Sequence, residues 1–274
     1  MIRKNIRKGT IIPYPVFEEE RYRKDLFAMI EELQAIIYSR VINNSSFAAS
    51  YNTSIRTDEI SDELDAVIEY IKVRAAVRVL KLINDLSNRA EKINKFNHNA
   101  FINFINNSLD TNIPNLNKNE LVTEEMKLWA LENAQLIRSI PNQILDKLSN
   151  MVCEAVRNGN SLQYLGKNLE RTLDISRNRA KIIARDQVAK LNGTLTKYRN
   201  LNLGITEYKW LTSGDERVRH SHDVLRDKIC SWQTPEKYRN NIQDKLWKKR
   251  SSIKGVELHP GLDIMCRCTS IAIL

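Results

Sequence analysis

The sequence predicts a mainly α protein. A long-helix bundle or hairpin opens it, and a small α+β domain closes it. Three observations carry this. Hydrophobic residues make up 42% of the chain while aromatic residues make up 7% and Gly only 8 positions, a composition suited to packed helices. Apolar residues then recur every three or four positions from Phe17 to about Asn202. Beyond Gly204 the period shortens to strand-like alternation.

The first helix is expected over Phe17–Asn43, where Leu26, Ile30, Leu33, Ile37 and Val41 share one face. Glu18, Glu19 and Glu20 suit its N-terminus, because carboxylates there oppose the helix dipole. NNSSFAASYNTS reads as a polar connector. Thr57 is a candidate cap for a segment in which Ile60, Leu64, Val67, Ile68, Ile71, Ala75, Val79, Leu82 and Leu86 repeat at helical spacing. It is expected to run toward Leu109, as one very long helix or as two with a bend, antiparallel to the first. DTNIPNLNKNE is a loop by its Asn and Pro content. Thr123 starts another helix to about Ile140, and Pro141 begins the next at its first turn. That one stops at Asn158-Gly159-Asn160. Ser161 and Ser176 read as caps of two further helices, the second ending near Asn202. ITEYKWLTS is a strand with Ile205, Tyr208 and Trp210 inward, and SGDERVRHSHDVL a turn with a short helix. About 35 polar residues then read mostly as loop, and CTSIAIL as a closing strand.

The charge is unevenly placed. Residues 1–150 hold 20 Lys+Arg and 20 Asp+Glu, whereas residues 151–274 hold 23 and 13, so the whole excess of +10 lies in the second part. We therefore expect a helical domain over 1–150 that makes protein contacts and a basic domain over 151–274 that meets a polyanion. Lys245, Lys248, Lys249, Arg250 and Lys254 crowd the segment KLWKKRSSIKG, and with Arg217 they are the candidate contacts to DNA phosphates or an acidic protein surface. The same cations would equally serve a solvated loop. No apolar run approaches the ~18 residues of a membrane span, so no membrane partner is expected. The N-terminus lacks an apolar signal core, so the reducing cytoplasm is the expected compartment. There Cys153, Cys230, Cys266 and Cys268 should be thiols or ligands, because four cysteines in a chain this long do not make a disulfide framework.

HPGLDIMCRC near the C-terminus holds the most specific chemistry. Cysteines at i and i+2 on a strand point to one face, so Cys266 and Cys268 could share a metal. His222 and His259 would complete a two-Cys, two-His tetrahedral set, the preference of structural zinc. His220 competes with His222, and Cys230 could replace either histidine. A packed thiol core without metal fits the same residues.

Taken together, SRNRAKIIARDQVAKLNG, EYKWLTSGDERVRHSH and HPGLDIMCRC resemble the phage Mu F-like head-morphogenesis family, the minor head proteins of tailed phages. Arg185 supplies the Arg of the helical Ala-Arg pair, and Trp210 the Trp of the strand. Asp215, Arg217, Arg219 and His222 fill the third piece, and Cys266, Arg267 and Cys268 the last. The resemblance covers residues from about 160 to 274. It implies a minor virion component in the head interior or portal region, non-enzymatic, associating with portal, capsid or scaffold proteins and with double-stranded DNA during packaging or ejection. The chain closes six residues after Cys268, so no C-terminal effector is expected. Self-association through the N-terminal helices is a further expectation. Asp215 and Arg219 read as structural, with Arg217 uncommitted. The alternative is a metal-dependent nuclease or toxin-like enzyme using His222 and His259. Against it, no phosphate loop, nucleophile elbow or His-Glu-x-x-His occurs.

Overall fold

A computed structural model describes residues 11–53, 57–109 and 120–273. The chain is mainly α, as expected, with a small antiparallel sheet at its C-terminal end. The expected loop DTNIPNLNKNE falls, but for Glu120 where helix α5 begins, outside the described residues.

α1 (Val16–Ile37) carries Glu18 and Glu19 in its first turn and widens into a π-helical turn at Tyr38–Ile42. Leu26, Ile30, Leu33, Ile37 and Val41 are all buried, as the spacing requires. The supposed connector contains a short helix, α2 (Ser45–Thr53). Asn44 caps it by accepting from the Ser46 and Phe47 amides at 2.9 and 3.1 Å, and Phe47 and Tyr51 are buried. α3 (Thr57–Asn84) and α4 (Leu86–Leu109) are the two-helix version of the long segment, parted at Asp85.

α5 (Glu120–Arg157) and α6 (Leu162–Asn202) each merge two expected helices. Pro141 does not start a helix; it lies inside α5, where a missing amide costs about 3 kcal/mol. Ile137, Ile140, Ile144, Leu145 and Leu148 are buried on both sides of it, and their burial at ~1.5–3 kcal/mol each outweighs that cost. Likewise Ser176 is no cap. Its hydroxyl donates back to the Thr172 carbonyl at 2.9 Å within α6, while Ser161 does cap by accepting from Tyr164 N at 3.2 Å. α5 ends before Gly159 (φ 64°) and α6 before Gly204 (φ 73°), the left-handed positions that glycine favours.

The chain divides into two compact units: residues 1–19, 87–129 and 185–274, and residues 20–86 and 130–184. Residue 150, where the charge balance changes, lies inside α5. In the first unit, α6 and α4 share a buried polar cluster. Asn97 donates to Asn192 Oδ1 and Thr196 Oγ1, both at 2.8 Å, and Arg199 donates to Asn97 Oδ1.

The sheet of this unit comprises β1 (Glu207–Leu211), β2 (Ile229–Ser231), β3 (Lys237–Arg239), β4 (Lys248–Lys249) and β5 (Thr269–Ala272), in the order β4-β3-β2-β1-β5. Tyr208 stands opposite Cys230 on one side and Ala272 on the other. A one-turn helix, α7 (His220–Asp223), follows β1. Three of the five strands lie in the stretch expected to be mostly loop, because two or three residues are too few to show an alternation. Tyr208, Trp210, Leu225, Cys230, Trp232 and Tyr238 form the core beside the sheet.

Candidate metal centre

The site assembles from three chain segments of the first unit. α7 is entered through Arg219 in extended conformation, which turns His222 inward (2% exposed) and leaves His220 exposed. The Trp210 ring meets the His222 imidazole edge-on at 5.9 Å. Cys266 and Cys268 come from the turn before β5, not from the strand itself. Met265, with φ 54°, holds the left-handed conformation that makes this turn, and its amide donates to Asp186 Oδ1 of α6 at 2.6 Å. Gly261 N approaches Cys266 Sγ at 3.4 Å.

These segments bring His222 Nδ1 to 3.6 Å from Cys266 Sγ and 3.5 Å from Cys268 Sγ. On its other side, His222 Nε2 meets Asp263 Oδ2 at 2.9 Å. Arg219 in turn reaches Asp263 Oδ2 at 2.9 Å and the Ile264 carbonyl at 2.7 Å. Burial alone would lower the His222 pKa, but its bonds to Cys266 and Asp263 outweigh this and raise it. Asp263 stays below the usual carboxylate range. Burial opposes this, yet His222, the Ile264 amide and Arg219 prevail. Of the two thiols, Cys266 is lowered, first by a bond from Cys268 against the cost of burial, and Cys268 is raised, first by Cys266 and then by burial. Two sulfurs and one imidazole nitrogen, all within 4.8 Å of one another, are the donor types that zinc prefers.

His259 is not part of this group. Its Nδ1 meets the Tyr208 hydroxyl at 3.1 Å, and its ring packs 5.1 Å from that of Trp232. Burial, then Lys197 and Arg250, push its pKa down to about 3. The turn at Gly261 (φ 86°) parts it from the cysteines. Cys230 is buried in the aromatic core, its thiol pushed up to about 11 mainly by burial. The expected four-ligand set, and the nuclease reading that paired His222 with His259, therefore lose their second histidine.

The remaining candidates separate by exposure. Asp215 is held by a two-pronged pair with Arg267, at 2.8 Å to Arg267 Nη2, and accepts from the Arg217 amide at 3.2 Å, while the Arg217 guanidinium comes only to 3.7 Å and stays 75% exposed. Arg185 binds Glu19 at 2.8 Å and stacks 4.1 Å from the Tyr14 ring. Trp210 is fully buried. Lys245, Lys249 and Lys254 are exposed, and Lys248 is half-buried and 3.9 Å from Asp244. Arg250 is a correction: it is 0% exposed and cannot reach a phosphate. It donates to the carbonyls of Lys237, Val256 and Leu258 at 3.3, 3.0 and 2.9 Å, and to the Tyr208 hydroxyl at 3.0 Å. Asp186 and Asp263 escaped sequence reasoning. Neither has a distinguishing spacing, and their roles arise only from the turn.

Residues 146–271 match the family model described as Phage Mu protein F like protein, so the family resemblance holds over the segment containing this site. A protein of Haemophilus influenzae (strain ATCC 51907 / DSM 11121 / KW20 / Rd), called only an uncharacterized protein, is 35% identical over 153 residues. The match spans 56% of this chain and 30% of that protein. No solved structure matches.

Proposed function

We propose that this chain, Mu F-like over residues 146–271, is a minor head component of a tailed phage, acting at the portal during head assembly. In this reading it lies in the head interior or at the portal and holds or passes double-stranded DNA without catalysing a reaction. One observation carries the reading: the family match falls on the part of the chain that holds the entire +10 excess. Exposed Lys245, Lys249, Lys254 and Arg217 supply phosphate contacts that need no base sequence. Portal, capsid or scaffold proteins, or a second copy, would meet the helical part. Val73, Val77 and Leu80 of α3 favour such contacts, since they share a helical face and are 66%, 68% and 54% exposed. Among the described residues no helix is long and apolar enough to cross a membrane.

Binding of a fluorescent duplex over a salt series tests the DNA part. Affinity should fall linearly on a log–log scale, by about 0.9 for each phosphate neutralised. Replacing Lys245, Lys249 and Lys254 together by Gln should flatten the slope by roughly two to three. Weak binding that ignores salt, or an unchanged slope in the triple variant, contradicts the reading.

A further inference from the structure

We propose that His222, Cys266 and Cys268 hold one zinc ion, that Asp263 orients His222, and that solvent fills the fourth position. The proposal stands apart from the role in head assembly. A zinc ion here would join these segments of the fold whatever the chain's partner.

Tetrahedral zinc with Zn–S of about 2.3 Å and Zn–N of about 2.0–2.1 Å separates a sulfur from a nitrogen by about 3.5–3.6 Å. The two separations here are 3.5 and 3.6 Å. An S–H···N hydrogen bond could explain one such distance. It does not explain two, because Nδ1 has one directed bond to give, whether a lone pair or an N–H. Two sulfurs at nearly equal distances from that one nitrogen suit a centre that serves both, and a cation between the three atoms is such a centre.

The surroundings agree. Asp263 faces Nε2 at 2.9 Å, so Nε2–H donates to the carboxylate and Nδ1 is left bare toward the sulfurs. Arg219 fixes that carboxylate from the other side. With the ion in place, two thiolates balance zinc and Arg219 balances Asp263, so this half-buried cluster is neutral. The thiol protons leave to solvent on binding. Among the described residues no fourth His, Cys, Asp or Glu joins the group. A cavity of about 20 Å³ lined by Ser213, Arg217, Val218 and Arg219 adjoins it, enough for one water. The ion would tie α7 to the turn before β5, through ligands 44 and 46 residues apart in sequence.

The test uses the full chain, kept reduced and stripped of metal, then titrated with zinc or with cobalt as a coloured stand-in. One equivalent should bind, and the cobalt form should show strong thiolate-to-metal charge-transfer absorption. Cys266→Ser, Cys268→Ser and His222→Ala should each abolish tight binding, whereas His259→Gln should keep it. Asp263→Asn should bind about 10–100-fold more weakly. The wild-type spectrum decides even if a variant fails to fold. A wild type that takes up no metal, or binds it without the thiolate band, overturns the proposal; so does a cysteine variant with unchanged affinity.

Discussion

Arg250 shows how much one residue's environment decides. In sequence it belongs to a run of cations, yet it is the strut on which three carbonyls and the Tyr208 hydroxyl converge. Removing it leaves buried acceptors without a donor, which costs about 1–3 kcal/mol for each group left bare. Arg250→Met should therefore lower stability by about 3 kcal/mol or more, read as a lower urea midpoint, whereas Lys249→Met should move it by no more than about 0.5 kcal/mol. Equal midpoints would contradict the assignment. His259 sets a pH dependence. Its folded pKa lies near 3, below the ordinary value of about 6.5, so the unfolded chain binds the extra proton. Stability contributed by the neutral ring is full above about pH 6.5 and is lost as pH falls toward 3, by up to about 1.4 kcal/mol per unit. His259→Gln should flatten the loss between about pH 6.5 and 4.5; parallel profiles would rule this out. At this scale, the two cysteines were legible because their chemistry is rare and their spacing short, and His222, 44 and 46 residues before them, through the segment that begins at Asp215. His259 was misplaced because nearness in sequence says nothing about which way a turn sends a ring.

The helices were legible where burial repeats and obscure where punctuation seemed strong. Leu64, Ile68, Ile71, Ala75, Val79 and Leu82 announce α3 by period and are all buried. Pro141 and Ser176 looked like helix starts, but local preferences of a few kcal/mol yield to a continuous buried face. β2, β3 and β4 were missed because their pairing partners, not their own residues, define them. Gly193 in α6 provides a test with a definite sign. Helix propensity favours Ala over Gly by about 1 kcal/mol. Here an added Cβ would lie 2.7 Å from the Pro260 carbonyl oxygen, backbone that cannot swing away. Overpacking of that kind costs about 1–3 kcal/mol, so Gly193→Ala should destabilise the protein in thermal melts. A higher melting temperature would show that the HPG turn does not press on α6.

For the whole molecule, charge and motif were legible from sequence, and the division of the chain was not. The excess of +10 beyond residue 150 is a property of composition, but compactness follows contacts, and both units are assembled from separated segments. The family match likewise begins at residue 146, within α5, so neither charge nor homology marks a boundary of the fold. The proposed role is that of a minor head component. It is tested most directly by quantifying the protein in procapsids assembled with the phage's own portal and capsid proteins and then purified by sedimentation. It should travel with the particles in copy numbers far below the major capsid protein, and omitting the portal should release it. Finding it wholly in the free fraction, with portal-bearing particles devoid of it, would rule this role out.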